Sequence, residues 1–120
     1  MKKILIIEDD KIIKNIIEFI VKKEGYEVEF AFDGLDGLAK IKSYQPDLVI
    51  TDVLLPYKSG LEVISYSKIN NPLTPIIVIS SLGKEDLTVI EAFKLGANDI
   101  LAKPFNPLEL KTKLSTFFAA

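Results

Sequence analysis

Five short apolar runs alternate along the chain with segments in which apolar residues recur every three or four positions. The runs are rich in β-branched residues and bounded by turn residues, which is typical of strands. They are KILII at 3–7, YEVEFAF at 26–32, DLVIT at 47–51, PIIVIS at 75–80 and DILA at 99–102. We therefore predict five strands.

The segments between the runs carry apolar stripes with helical spacing, and such a stripe normally faces a core. The stripes are Ile12, Ile13, Ile16, Ile17, Ile20 and Val21; Leu35, Leu38 and Ile41; Leu61, Val63 and Ile64; Leu87, Ile90 and Phe93; and Leu108, Leu110 and Leu114. Strands that alternate with helices predict βαβ units, with a parallel sheet covered by helices on both faces.

The apolar character of each strand predicts its place in the sheet. Strands 1, 3 and 4 are nearly continuous apolar runs, as expected for central strands, whereas YEVEF alternates and should lie at an edge. This pattern favours an α/β fold, a flavodoxin-like (βα)5 three-layer sandwich with strand order 2-1-3-4-5. A length of 120 residues predicts a single domain over residues 1–120.

Composition excludes several kinds of chemistry. The 15 basic residues, all lysine, stand against 17 acidic ones, a net charge of −2 that gives no surplus for binding nucleic acid. There is no cysteine for a thiolate or disulfide and no histidine for general base catalysis. The N-terminal apolar run stops after four residues, too short for a signal or membrane segment, so we expect a cytoplasmic protein without a membrane partner.

Polar residues follow the predicted strands where ligands bind in such sheets, beyond the carboxyl ends. They are Glu8-Asp9-Asp10, Thr51-Asp52, Ser80-Ser81 and Lys103-Pro104. Two carboxylates about 5 Å apart repel by roughly 3 kcal/mol at an effective dielectric of 20, so a cluster of them calls for protons or a cation. Oxygen ligands of this kind suit Mg²⁺.

Each of these residues also has a purely structural explanation. Asp10, just before a helix, is better explained as its N-cap, and Asp9 could serve the same role one position earlier. Asp52 closes a strand that should be buried, where an unpaired charge is costly, which favours a function. Ser80 alone is uninformative, because a serine at a strand end is more often a cap. Lys103 could be a solvated loop lysine, but it closes an apolar strand, and its bond to Pro104 is a candidate cis peptide.

Four motifs together resemble the receiver domain of two-component response regulators. They are ILIIEDD, PDLVITDVLLPYKSGLE, TPIIVISS and GANDILAKPFNPLEL, in this order and at these separations, and they span essentially the whole chain. The resemblance implies a signalling switch rather than an enzyme in the usual sense. Its phosphoryl group would come from a sensor histidine kinase or a histidine phosphotransfer protein.

The resemblance also implies roles for individual residues. Asp52 is the expected phosphoacceptor, and Mg²⁺ is expected on Asp9, Asp52 and the backbone carbonyl of Leu54, with Glu8 acting through water. Lys103 is expected to pair with Asp52 before transfer and with the phosphoryl group afterwards. Ser80, where threonine is commoner, is expected to move toward the phosphoryl group and so alter the face built from helix 4, strand 5 and helix 5.

Two departures from the family pattern carry predictions. Ile100 stands where many receivers have an aromatic residue, so we expect the signal to travel by displacement of a loop or of helix 4. Leu54 and Leu82, two residues after Asp52 and Ser80, flank the access to the phosphoryl group. Because aliphatic side chains there would exclude a hydrolytic water, we predict slow autodephosphorylation.

Two surfaces are candidates for partners. A homodimer through helix 4, strand 5 and helix 5 would use Glu91, Lys94, Asp99 and Lys111, although an ordinary solvated surface explains these charges equally well. Specificity for the kinase is expected on the surface of helix 1. The candidate residues there are Lys11, Lys14, Asn15 and Glu18.

Three other functions fit part of the pattern. A flavin-binding electron carrier shares the fold, but its phosphate loop should be rich in Gly, Ser and Thr, whereas EDDK would repel a phosphate. An Mg²⁺-dependent phosphatase with Asp52 as nucleophile needs a second acid two residues on, where Leu54 stands. A degenerate receiver that only docks to partners would not need the acids, hydroxyl and lysine together.

Overall fold

The computed structural model describes residues 1–55, 59–83 and 85–119, and within these ranges strands and helices alternate strictly. The strands are β1 Lys3–Ile7, β2 Glu27–Ala31, β3 Leu48–Asp52, β4 Ile76–Ser80 and β5 Asp99–Ala102. The helices are α1 Lys11–Lys23, α2 Gly34–Tyr44, α3 Gly60–Asn70, α4 Leu87–Lys94 and α5 Pro107–Phe117. The five strands predicted from the sequence are confirmed; β1 and β5 have the predicted bounds, and the ends of the other three differ by at most one residue.

All strand pairs are parallel, and the order is β2-β1-β3-β4-β5. This confirms the flavodoxin-like order and the place of β2 at an edge. The order reverses between β1 and β3, which lie side by side with Ile7 opposite Thr51. The last residues of β1, β3 and β4 therefore meet at one edge of the sheet, and the site described below lies there.

The sheet has an apolar layer on each face because successive side chains of a strand point to opposite sides. Leu5 and Ile7 of β1 pack in one buried cluster with residues of α2, α3 and α4, including Ile41. Ile4 and Ile6 pack in the other cluster with residues of α1 and α5. Burial on both faces explains why the central strands read as continuous apolar runs.

Each helix begins at a polar N-cap whose side chain accepts hydrogen bonds from free amides of the first turn. The capping residues are Asp10, Asp33, Ser59, Asp86 and Asn106. The interpretation of Asp10 as a cap is confirmed, since its Oδ1 accepts from Ile12 at 2.8 Å and from Ile13 at 3.2 Å. Asp10 is thereby committed to α1.

The prediction that the apolar stripe of α4 faces the core is wrong. Leu87, Ile90 and Phe93 are exposed by 81%, 37% and 41%, while the buried residues of the helix are Val89 and Ala92. Both sets have helical spacing, and the small side chains let the helix approach the sheet closely. Four further stripe residues of the other helices are likewise exposed. They are Ile12, Ile16, Leu35 and Leu108.

The free edge of β2 is closed by side chains of the chain itself. The amide of Phe30 donates to Glu29 Oε1 at 2.9 Å, and Lys40 of α2 donates to the Phe30 carbonyl. Lys40 also lies 3.7 Å from Glu29 and 3.3 Å from Asp36 as an ion pair. Charged groups of this kind block the addition of a further strand at a sheet edge.

Lys14 corrects one prediction about the surface of α1. Its side chain is only 9% exposed; Nζ lies 3.9 Å from the centroid of the Phe30 ring and pairs with Glu18 at 3.2 Å. Lys14 therefore attaches α1 to β2 instead of facing a partner, whereas Lys11 and Asn15 are exposed as predicted. Among the described helices, none has the length and apolar character that a membrane span requires.

Candidate functional site

Asp52 is the last residue of β3 and is 7% exposed, in agreement with the expectation that this acid is nearly buried. Its two carboxylate oxygens have different partners. Oδ2 accepts a hydrogen bond from Lys103 Nζ at 2.7 Å, and Oδ1 accepts one from the amide of Leu54 at 3.2 Å. These two contacts fix the position of the Asp52 carboxylate at the carboxyl end of β3.

Glu8 follows β1 directly and is fully buried. Its Oε1 lies 2.8 Å from Lys103 Nζ without a well-aligned hydrogen bond, and its Oε2 accepts one from the amide of Asp10 at 3.1 Å. Burial raises the pKa of Glu8 to about 7, assisted by the nearby Asp52 carboxylate and opposed by Lys103 and the Asp10 amide. The direct contact with Lys103 was not predicted from the sequence.

Asp9 is exposed and completes a cluster of carboxylates. One oxygen from each of Glu8, Asp9 and Asp52 can be chosen so that all lie within 4.8 Å of one another. The cluster holds three carboxyl groups against one lysine, so it offers more oxygen donors than Lys103 can occupy, which suits a divalent cation. Oxygen donors with an open, exposed side fit Mg²⁺, which uses few carboxylates and keeps several waters.

Lys103 reaches the cluster from the turn after β5. Its backbone amide donates to the Ser80 carbonyl at 2.9 Å, and its bond to Pro104 is cis, as the sequence suggested. Burial lowers the pKa of Lys103, but the hydrogen bond to Asp52 and the close ion pair with Glu8 outweigh this effect and raise the pKa above its ordinary value. The lysine therefore stays charged and neutralises part of the cluster.

Ser80 ends β4 and is 2% exposed. It lies one residue beyond Ile79, the register partner of Asp52. Its Oγ accepts a hydrogen bond from the amide of Leu82 at 2.9 Å, which fixes the first turn of the β4–α4 loop. Because Oγ serves as the acceptor in this hydrogen bond, the hydroxyl can still donate its proton.

Apolar side chains surround the charged centre. Leu54 is 60% exposed and Leu82 is half-buried. The positions two residues after Asp52 and Ser80 therefore both present aliphatic side chains at the surface. A cavity of about 370 Å³ adjoins Lys103 on the α1 side. Its other lining residues are Ile13, Ile16, Pro104 and Phe105.

Sequence reasoning missed one residue of this region. Gly60, the first residue of α3, donates its amide to the Val53 carbonyl at 2.8 Å and so closes the β3–α3 loop against the end of β3. The signal available in the sequence was a glycine directly after the helix cap Ser59, eight residues beyond Asp52. The role of the Leu54 carbonyl stays a prediction.

The family profile of the response regulator receiver domain matches residues 4–115, nearly the whole chain. This chain belongs to that family. The predicted resemblance is thereby confirmed, and with it the general role of a receiver domain in two-component signalling.

Solved structures of other receivers agree with this assignment. The chemotaxis response regulator CheY4 of Vibrio cholerae is 31% identical, with a TM-score of 0.90 over 98% of this chain and 99% of that one. A CheY-like receiver domain protein from Methanospirillum hungatei JF-1 is 32% identical, with a TM-score of 0.91 over 97% and 92%. The receiver domain of Francisella response regulator 1452 is 30% identical, with a TM-score of 0.86 over 98% and 96%.

Proposed function

We propose that this receiver domain, residues 1–120, accepts a phosphoryl group on Asp52 from a phosphohistidine of a sensor kinase or histidine phosphotransfer protein. The observation that carries the proposal is the placement of Lys103 Nζ within hydrogen-bond distance of the nearly buried Asp52 carboxylate. A buried acid paired with one lysine at the switch point of the sheet is suited to hold a group that carries negative charge.

The transfer is a displacement at phosphorus. A carboxylate oxygen of Asp52 forms the new P–O bond while the P–N bond of the phosphohistidine breaks, and its electron pair remains on the imidazole nitrogen. The transition state spreads negative charge over the phosphoryl oxygens. Lys103 stabilises that charge, and the Leu54 amide orients the carboxylate through Oδ1.

The carboxylates of Asp9 and Asp52 would hold Mg²⁺, together with the Leu54 carbonyl, and Glu8 would act through water or directly. When bound, the ion supplies charge neutralisation for the phosphoryl oxygens. Glu8 has a second task, because it holds the Lys103 ammonium from the side away from solvent.

The conformational response starts at Ser80. Donation of its hydroxyl proton to a phosphoryl oxygen would draw the hydroxyl toward Asp52, and the Leu82 amide would follow because it is bonded to the same oxygen. Ile100 is 6% exposed and offers no aromatic ring that could rotate. The displacement would therefore pass through the β4–α4 loop to α4, whose apolar outer face is exposed.

A homodimer through α4, β5 and α5 is the partner arrangement proposed for the phosphorylated state. Glu91 and Lys94 are exposed and available for it. Asp99 already pairs with Lys113 at 2.8 Å, and Lys111 lies 3.9 Å from Glu24, so these two charges would have to exchange partners. The exposed row of α4 supplies the apolar part of such an interface.

Phosphorylation is tested by intact-mass spectrometry after incubation with acetyl phosphate and, separately, with phosphoramidate, whose P–N bond resembles that of phosphohistidine. Each donor is used with and without Mg²⁺ on the parent and on Asp52→Asn. We expect one phosphoryl adduct that requires both Mg²⁺ and Asp52. Asp33→Asn removes an acid that only caps α2 and should leave labelling unchanged.

An adduct on Asp52→Asn, or on the parent without dependence on Mg²⁺, would place the chemistry elsewhere. No adduct on the folded parent with either donor would contradict the proposal. The chain would then be a receiver that acts by docking alone.

A further inference from the structure

Gly60 lies against the backbone that carries the acceptor aspartate. It is buried, it begins α3, and its amide hydrogen bond to the Val53 carbonyl joins the helix to the residue after Asp52. Asp52 and Gly60 are the two ends of the β3–α3 loop. The position of α3 is therefore coupled directly to the end of β3.

No side chain fits at Gly60. A Cβ there would lie 2.2 Å from the backbone oxygen of Asp52, 2.6 Å from the Cα of Val53 and 2.8 Å from the Val53 oxygen. All three are backbone atoms and cannot rotate away as the end of a side chain can. Gly60 is not among the glycines with positive φ, so the requirement is one of space and not of backbone conformation.

The atoms that a Cβ would displace belong to the residues that position the acceptor. Asp52 Oδ1 is bonded to the Leu54 amide at 3.2 Å, so a shift of the Asp52 and Val53 backbone changes both ends of this hydrogen bond. The same shift would alter the distances of the Asp52 carboxylate from Asp9 and from Lys103. Loss of supporting contacts of this kind typically weakens metal binding or activity by about 10–100-fold.

We propose that Gly60 is a positioning residue of the acceptor site, which by lacking a side chain lets α3 set the Asp52 carboxylate and the Leu54 backbone at the spacing that Mg²⁺ binding requires. The inference rests on the proposed function for the identity of the ion. It assigns to this chain a site residue that makes no contact with the ion or the phosphoryl group.

Gly37 of α2 provides a matched control. A Cβ there would meet its nearest atom at 2.7 Å, but the three nearest atoms all belong to the side chain of Ile7 and none to the backbone of Asp52 or Val53. Both positions are helical, buried glycines, and both changes add one methyl group. The two alanine variants therefore differ in whether the acceptor backbone has to move.

The experiment compares the parent, Gly60→Ala and Gly37→Ala by calorimetric titration with Mg²⁺, by thermal unfolding without metal, and by the rate of labelling with acetyl phosphate. For Gly60→Ala we expect Mg²⁺ binding weakened about tenfold or more and labelling slowed to a similar degree. For Gly37→Ala we expect a lower melting temperature with Mg²⁺ affinity within about twofold of the parent.

Three results would overturn the proposal or separate it from the proposed function. Unchanged Mg²⁺ affinity in folded Gly60→Ala overturns it, and so does a loss of affinity in Gly37→Ala that matches the loss in Gly60→Ala. If the parent binds Mg²⁺ but takes no phosphoryl group, the proposed function fails while the calorimetric comparison still decides the role of Gly60.

An NMR titration of the unmodified protein covers the case in which Gly60→Ala does not fold. Because the Gly60 amide is bonded to Val53, its resonance should shift with Mg²⁺ with the same dissociation constant as those of Asp52 and Leu54. The Gly37 amide serves as the reference and should stay in place. A Gly60 resonance that does not respond would overturn the proposal.

Discussion

The ammonium of Lys103 lies 2.8 Å from Oε1 of Glu8, a carboxylate with no exposed surface. The same ammonium donates to Asp52, so the lysine is held between a buried acid and the acceptor. This arrangement fixes the position of its Nζ beside the Asp52 carboxylate, where the proposed transfer would bring the phosphoryl group. Single substitutions can change the charge of the cluster in either direction, and on the proposed function they should change its affinity for Mg²⁺ accordingly.

Replacement of Lys103 should slow phosphoryl transfer to Asp52 without weakening the binding of Mg²⁺. In Lys103→Met the carboxylates lose their internal cation, so Mg²⁺ should bind as tightly as in the parent or more tightly. Labelling by acetyl phosphate should slow by roughly 10²-fold or more, as when one preorganised donor is removed from a transition state. Calorimetry and intact mass measure the two quantities; Lys113→Met, which removes the partner of Asp99, is the control.

Neutralisation of Glu8 should weaken Mg²⁺ binding, whereas replacement of Lys103 should not. Above pH 7, where Glu8 is ionised, Glu8→Gln removes one negative charge from the cluster, so Mg²⁺ affinity should fall on the order of tenfold. Lys103 keeps its hydrogen bond to Asp52, and labelling at saturating Mg²⁺ should therefore be recovered in large part. Glu27→Gln at the exposed edge is the control. Mg²⁺ affinity equal to that of the parent would show that Glu8 contributes nothing to the ion site.

The lifetime of the phosphorylated form should depend on the two flanking leucines. Leu54→Asn with Leu82→Glu would introduce polar groups that can orient a water for attack on phosphorus, and we expect hydrolysis to accelerate about tenfold or more. Decay of the adduct after removal of the donor is followed by intact mass. Leu35→Asn with Leu73→Glu makes the same exchanges at exposed positions, and there the decay should be unchanged.

Unchanged decay in the double variant of the flanking leucines would contradict this explanation of slow autodephosphorylation. Decay of the parent adduct within seconds would contradict the prediction itself.

Lys40 should keep the β2 edge from pairing with other chains. Lys40→Met leaves the Phe30 carbonyl without its ammonium donor, and we expect a loss of about 1–3 kcal/mol in the free energy of unfolding. Urea denaturation measures this loss, and light scattering at high concentration measures self-association, which should increase. Lys42→Met removes the same charge from the exposed side of α2 and should change neither.

The fold and the main groups of the site were predictable because they depend on local patterns. Apolar runs predicted β1, β3, β4 and β5, and the carboxyl ends of parallel strands lie at one edge of the sheet, which brought Asp52 and Lys103 together. The helical stripes were less informative. In α4 the apolar residues occupy more than one face, and spacing alone does not tell which side approaches the sheet.

Contacts that depend on the path of the chain between elements were not predictable. The sequence shows three consecutive acids after β1 but not that Glu8 turns inward while Asp9 stays exposed. Lys14 resembled a surface residue because it is charged, yet its ammonium lies over the ring of Phe30, a residue of another element. Gly60 became informative only once the backbone opposite it was known.

Helix α4 buries little of its surface against the sheet, so its displacement costs little free energy. Only two small side chains, Val89 and Ala92, are buried from its eight residues. A rigid shift that uncovers roughly 100 Å² of apolar surface costs about 2.5 kcal/mol at 25 cal/mol per Å². One or two charge-assisted hydrogen bonds of about 1.5–3 kcal/mol each offset that cost. On the proposed function, the helix would move as one unit and carry the exposed side chains of Leu87, Ile90 and Phe93 with it, while the sheet beneath keeps its packing.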